Sequence, residues 1–312
     1  MPDISLITSL YRTDAHLASF SHRLRQIAQQ AYQRGLQIEF VLIPNDASAV
    51  ERALLDRLQA DLDRVQVHHT LLESVYASWN RGVAQAQADV LGFWNVDDRR
   101  SIHALLEGYL LIAGRGYDIV DFPTHYHVSR RLGTRQYTKP AQYKHYPIHP
   151  RNGTSPFFMF KRDLYQRAGD FDAHFKIAGD FEWCMRQAVR HARIGYGAQI
   201  GGTFVVHGDN LSVGDQLWVE FNVVLLRHGN YDALRPVEPE AMRHAWYTWG
   251  RNADQELPPA ISQWLWGTGA ESRYYRYKWE RDLPPFARRV MLSLAKRGIV
   301  HSVDWETHHG TR

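Results

Sequence analysis

Short apolar runs alternate with amphipathic ones along the first 122 residues. ISLITSL, at 4–10, predicts a buried strand. Leu17, Phe20, Leu24, Ile27 and Ala31 then recur at three- and four-residue spacing. They predict a helix that starts at Thr13 or Asp14 and ends at Gly35. IEFVLI (38–43) predicts a second strand, PNDAS (44–48) a loop, and Val50, Leu54 and Leu58 the apolar face of a second helix. RVQVHHT (64–70) reads as a third strand, 73–88 as helical in its second half, and DVLGFW (89–94) as a fourth strand. Ser101 is placed to cap a helix carrying Ile102, Leu105, Leu106, Tyr109 and Leu110, and YDIVDF (117–122) reads as a fifth strand. Strands alternating with helices through short connections predict an α/β fold with a mostly parallel central sheet flanked by helices.

After residue 122 the rhythm breaks. Residues 123–153, rich in His, Tyr, Arg and Pro, predict irregular or short-stranded structure. SPFFMF (155–160) reads as a strand, and the segment after it as a short helix ending at Gly169. Residues 178–192 read as a helix beginning near Asp180, and 200–212 as a strand entering a polar loop. The remainder is mainly helical. The expected boundary lies at 230, with a helical extension over 231–312.

Composition narrows the class. Of 312 residues, 44% are hydrophobic and 12% aromatic, which favours a packed globule over disorder. The net charge of +4 is too small to indicate nucleic acid, and no nucleic-acid partner is expected. The single cysteine, Cys184, excludes a disulfide framework and is consistent with a reducing cytoplasm. MPDISLITSLYRT does not read as a signal peptide, and no apolar run approaches 18 residues.

In parallel sheets of this kind ligands bind beyond the carboxyl ends of the strands. Three polar groups fall there: Ser9-Leu10-Tyr11, Asn45-Asp46 and Asp97-Asp98. The last is the most telling. A strand that runs into two adjacent carboxylates is either a solvated turn or a cation site, because unneutralised buried charge is expensive.

Four segments together resemble the inverting glycosyltransferases of family 2. They are ISLITSLYR, IEFVLIPNDAS, ASWNRGVAQAQADVLGFWNVDD and SPFFMFKRDLYQRAGDFDAHFKIAGDFEWCMR. The likeness covers roughly 3–230 and implies the GT-A fold, with a nucleotide-binding half over 1–122 and an acceptor-side half over 123–230. Asn45 and Asn95 stand where the family usually has Asp, and Ala47 where it has Gly.

The resemblance implies a divalent ion, Mn²⁺ or Mg²⁺, held with the donor diphosphate by Asp97 and Asp98. Such ions favour carboxylate and phosphate oxygen. It implies that Asp46 accepts a hydrogen bond from the nucleotide base, with N-capping as the alternative. Tyr11 would stack on the base or pack at the sheet edge. Ser9, Asn80 and Arg81 would approach the nucleotide, although Arg81 also suits a solvated helix face. Asp180 matches the general base that deprotonates the acceptor hydroxyl, again against an N-cap alternative. His207 stands where several GT-A enzymes place a further metal ligand. Trp183 reads as core.

The implied donor is a nucleotide-diphosphate sugar of UDP, GDP or dTDP type, and the implied acceptor a glycan or lipid-linked glycan. His125 and His127 share a strand face, but zinc would need further ligands. Residues 273–300 mix basic and aromatic residues, with Phe286, Val290, Met291 and Leu294 on one side and Arg288, Arg289, Lys296 and Arg297 nearby. That pattern suits a helix packed on the enzyme, a homodimer contact, or peripheral contact with the inner face of a membrane. A degenerate, non-catalytic member of the fold is the main alternative. A nucleotidyltransferase ranks below it, for want of a glycine-rich basic loop after the first strand.

Overall fold

The computed structural model describes residues 1–130, 133–141, 154–186, 191–206, 214–251 and 255–282. The chain divides into two compact units, Met1–Leu217 and Trp218–Arg312. The cut falls earlier than the expected boundary at 230, inside a helix, Asp215–Arg227.

The first unit contains two sheets. Its strands are β1 (Ile4–Leu10), β2 (Ile38–Pro44), β3 (Val65–Val67), β4 (Val90–Phe93), β5 (Arg99–Arg100), β6 (Ile119–Asp121), β7 (Thr124–Arg130), β8 (Gly133–Lys139), β9 (Met159–Lys161), β10 (Ile194–Tyr196) and β11 (Gly202–Val206). The main sheet has seven strands in the order β10-β6-β9-β4-β1-β2-β3. Its pairings are parallel except at β9, which runs antiparallel to both β4 and β6. Around it lie α1 (Asp14–Tyr32), α2 (Ala49–Asp61), α3 (Val75–Gln85), α4 (Ile102–Tyr109), α5 (Arg162–Ala168) and α6 (Gly179–Met185).

The periodicity of α1 is what its burial shows: Leu17, Phe20, Leu24, Ile27 and Ala31 all face the core. β1 and β2 are buried along nearly their whole length, as strands covered on both faces must be. The α2 face is rotated from the expected one. Val50 is 62% exposed, while Leu55, Leu58 and Glu51 are buried. Glu51 takes an inward position because its carboxylate has internal donors to satisfy, which displaces Val50 to solvent.

The segment expected to be irregular or short-stranded is in part a regular hairpin of two strands. β7 and β8 pair antiparallel from Thr124↔Lys139 to Arg130↔Gly133, and join β11 and β5 in a second sheet of order β5-β11-β7-β8. The shared strand face of His125 and His127 is observed: His125 Nδ1 lies 3.1 Å from Thr138 Oγ1, and His127 Nδ1 is 3.2 Å from Gln136 Nε2. Residues 142–153, the rest of that segment, lie outside the described residues.

In the second unit the described structure is helical, at Pro239–Ala245, Pro259–Trp266 and Ala270–Asp282 besides the first helix. Asn222 fastens its turn by hydrogen-bonding both the carbonyl and the N–H of Arg235, at 2.8 and 3.0 Å. The Arg235 guanidinium sits 4.0 Å from the centroid of the Trp218 ring. Phe286 and the other apolar and basic residues of 283–300 lie outside the described residues. Among the described residues no helix is long and apolar enough to cross a membrane.

Candidate functional site

The carboxyl ends of β4, β1 and β2 are neighbours in the sheet, so the three polar groups read from the sequence share one edge. At the end of β2, Asn45 is 2% exposed and fully engaged. Its Nδ2 donates to Ser78 Oγ at 2.8 Å, and lies 3.2 Å from Ser9 Oγ and 3.3 Å from the Ile43 carbonyl. Its Oδ1 accepts from the Glu73 N–H at 3.2 Å. An aspartate could accept that last bond but could not donate the others. The departure from the family pattern at Asn45 is therefore explained by its donor role between two strands and α3.

Asp46 is exposed, with φ +48, and its N–H donates to the Thr70 carbonyl. It does not cap α2. Ser48 does, in a capping box with Glu51. Arg12, at the end of β1, also has positive φ, +51, and its guanidinium lies 5.0 Å from the Tyr11 ring centroid. Tyr11 itself is 43% exposed.

Glu51 braces both turns. Its carboxylate accepts from the Thr13 N–H and hydroxyl, each at 2.6 Å, and from the Ser48 N–H at 2.9 Å. The Glu51 N–H in return donates to the Ser48 hydroxyl at 3.1 Å, and that hydroxyl donates to Asp14 at 2.9 Å. Burial pushes the Glu51 carboxyl up, but the Thr13 and Ser48 hydrogen bonds outweigh it and leave its pKa below the usual value. Glu51 was missed as a site residue. The Ser48-Ala49-Val50-Glu51 capping-box pattern was the signal that could have found it.

On α3, Arg81 forms a two-pronged pair with Glu73, at 3.1 and 2.9 Å, and the hydrogen bond and charge of Glu73 raise its pKa. Its side chain is still half exposed at this edge. The Asn80 side chain makes its bonds inside the protein. Its Nδ2 donates to the Phe171 carbonyl at 2.8 Å, and its Oδ1 accepts from the Phe171 N–H and the Tyr165 hydroxyl, both at 2.9 Å. The side chain docks the 170–171 segment on α3.

Beyond β4 the two carboxylates differ. Asp98 is 1% exposed; its Oδ1 accepts from the Val205 N–H at 3.1 Å and its Oδ2 from Asn95 Nδ2 at 3.3 Å. Burial, then the charge of Asp97, push its pKa well above the usual carboxylate value, against the pull of Val205, Asn95 and Arg100. Asp97 is half-buried in the same turn. Asn95, like Asn45, supplies a donor where a third carboxylate would add repulsion. Arg23 reaches over from α1 and donates to the Val96 carbonyl. Burial and Arg99 lower its pKa, while Asp97 and Asp98 oppose the shift. Arg100 is buried, donates to the Phe157 carbonyl at 2.8 Å, and is brought down to about 9 by burial, with Asp98 opposing.

Among the described residues no group of three or more His, Cys, Asp or Glu is placed to hold a metal. An ion here would take its remaining oxygens from a bound diphosphate and water, which is the usual arrangement for Mg²⁺ with phosphate substrates. Asp97 and the buried, destabilised charge of Asp98 fit that donor set. His207 lies outside the described residues.

Asp180 lies in the first turn of α6, whose N-cap is Ala178. Its Oδ1 accepts from the Phe181 N–H at 2.8 Å and lies 3.2 Å from the Tyr76 hydroxyl, which is also 2.7 Å from the Ile177 carbonyl. Tyr76 begins α3, so the ring connects the Asp180 turn to the helix that carries Arg81. Gly179 permits the approach: a Cβ there would stand 2.7 Å from the Tyr76 ring. Glu182 pairs with Arg186 at 2.6 Å, and Trp183 is fully buried with its Nε1 donating to the Gly169 carbonyl.

No family model and no curated protein matches the chain. Solved structures do match it. The chain is similar to S. aureus TarS 1-349 in complex with UDP-GlcNAc, with 14% identity, 97% of this chain and 93% of that one covered, and a TM-score of 0.58. It is also similar to the mannosyltransferase PcManGT from Pyrobaculum calidifontis in complex with GDP-Man and Mn²⁺, with 13% identity, 95% and 80% covered, and a TM-score of 0.53. The likeness is one of architecture, and the chain has the GT-A fold.

Proposed function

We propose that this protein is a metal-dependent inverting glycosyltransferase that moves a sugar from a nucleotide diphosphate to a hydroxyl of a glycan or glycolipid. One observation carries the reading. Three adjacent strands deliver Tyr11, Asp46 and Asp97 to one edge, in a fold whose solved examples include complexes with UDP-GlcNAc and with GDP-Man and Mn²⁺.

In this reading Tyr11 offers its exposed ring face to the base, and Asp46 accepts a hydrogen bond from a base N–H. Ser9 and Arg81 border the nucleotide. Asp97, with Asp98 behind it, would hold a divalent ion, which would supply Lewis-acid stabilisation of the diphosphate leaving group. Asp180 takes the proton of the acceptor hydroxyl as its oxygen bonds to the anomeric carbon. The bond from that carbon to the diphosphate breaks on the opposite face, which inverts the centre. Tyr76 and the Phe181 N–H fix the direction of the Asp180 carboxylate. Asn45 and Asn95, the motive for a non-catalytic reading, both serve as internal donors, so their identity does not argue against catalysis.

Asp180→Asn tests the base. Transfer should fall by about 10²- to 10⁴-fold, the usual contribution of a general base. Calorimetric titration should show nucleotide diphosphate binding with Mn²⁺ unchanged. Transfer at the wild-type rate would remove Asp180 from this role.

A further inference from the structure

The second sheet carries a feature that donor binding does not use. Tyr126 on β7 and Tyr137 on β8 are directly paired in register, and their rings stack with centroids 5.1 Å apart and planes at 4°. Phe204, the β11 partner of Tyr126, packs against it edge-on at 5.6 Å. The three rings form a half-buried aromatic row across three strands. Two exposed cations flank it. Lys139 Nζ lies 4.6 Å from the Tyr126 centroid, and the Arg135 guanidinium 5.2 Å from that of Tyr137. Neither has a carboxylate partner among the described residues.

The row adjoins the metal turn. Val205, next to Phe204 on β11, is the residue whose N–H holds Asp98. Burial, then the charges of Tyr137, Asp121 and Asp98, push the Tyr126 hydroxyl up to about 12, so it is a neutral donor at physiological pH.

Stacked aromatic faces suit the apolar faces of sugar rings, and cations held against such faces have unspent charge to offer. We infer that Phe204, Tyr126, Tyr137, Lys139 and Arg135 form an acceptor platform, and that its ligand is a glycan bearing anionic groups. The inference rests on the glycosyltransferase reading and names its acceptor class. A sugar ring stacks on the outer face of Tyr137, on the edge strand β8, while carboxylate or phosphate groups meet Lys139 and Arg135.

The test uses the full chain, with dextran sulfate and neutral dextran of matched length as probes. Wild type should bind dextran sulfate and prefer it to dextran. Lys139→Gln with Arg135→Gln should weaken it at least tenfold, about 1.4 kcal/mol. Tyr137→Leu should also weaken it, which a plain charge patch would not require. A control that removes two exposed arginines elsewhere, Arg34→Gln with Arg57→Gln, should leave it unchanged. The inference is overturned by no binding, by equal binding of the neutral polymer, by an equal loss in the control, or by indifference to Tyr137→Leu. Nucleotide diphosphate with Mn²⁺, titrated into the same variants, keeps the two readings apart. A retained thermal shift beside lost glycan binding isolates the platform. No shift even in wild type would sink the donor reading and leave the glycan result standing by itself.

Discussion

Arg12 and Asp46 are the two non-glycine residues with positive φ among the described residues, and a single carboxylate braces both turns. Left-handed backbone at such residues costs free energy and persists where the surroundings over-determine it. Glu51 supplies that surrounding, and so sets where Tyr11 and Asp46 point. Glu51→Gln keeps the volume but turns one acceptor oxygen into a donor facing a donor. It should destabilise the fold by about 2 kcal/mol, the cost of leaving a buried group unsatisfied. It should also raise KM for the donor several-fold with little change in kcat, a split that general loss of stability would not give. The acid limb has a defined sign. A carboxyl whose folded pKa lies below its unfolded value, about 4.3 for Glu, contributes stability above the unfolded pKa and loses it as pH falls through the folded one. The gap between wild type and Glu51→Gln in thermal melts should therefore be full near neutrality and narrow below about pH 4. A gap that widened in acid would contradict the hydrogen-bond account.

Among the elements, α3 bears most on the site, because it presents Arg81, Ser78 and Tyr76 together. It can do so because Gly82 lies flat on β1: a Cβ there would stand 2.3 Å from Ile7 Cγ2. Helix propensity alone would favour alanine by about 1 kcal/mol. The overlap should reverse that, since overpacking costs about 1–3 kcal/mol. Gly82→Ala should lower the urea midpoint with an unchanged slope. A variant as stable as wild type would mean that α3 shifts freely on the sheet. The same elements show what the sequence made legible. β1, α1, β2 and β4 announce themselves, because long apolar runs and a five-residue stripe leave few other folds to the chain. β5 and β10 do not, since two or three residues carry no period. β9 was readable as a strand but not as antiparallel, for direction depends on where the chain has been carried, not on local composition. The β7–β8 hairpin gives a weaker signal: β7 sets Tyr126 and Val128 against two histidines, and β8 carries Tyr137 as its one aromatic among polar and charged residues. At the site, the strand-end carboxylates were legible as a group. The inward turn of Asn80 was not, because it depends on residues 165 and 171, distant in sequence.

At the scale of the whole chain, the site residues named above fall in the first compact unit, Met1–Leu217, and the described elements of the second, Trp218–Arg312, are helical. Ligand binding stabilises only the cooperative unit that binds. A nucleotide diphosphate with Mn²⁺ at about 100 times its dissociation constant adds roughly 2.7 kcal/mol. For a unit of this size, a kilocalorie moves the midpoint by about 2–4 °C, so the expected rise is about 5–10 °C. Differential scanning calorimetry should resolve two transitions, of which one moves with the cognate nucleotide. The shift should require Mn²⁺ and should vanish in Asp97→Ala. Asp98→Asn should behave differently, because Asp98 spends both oxygens on Val205 and Asn95. Asparagine there turns one of those acceptor oxygens into a donor facing a donor, so the metal-free midpoint should not rise, and the Mn²⁺-dependent increment should shrink. If both transitions move together, the two units unfold as one, and the division at Leu217 has no thermodynamic meaning. If one moves alone and Asp97→Ala abolishes the movement, the donor site is located in the first unit by an observable that owes nothing to turnover.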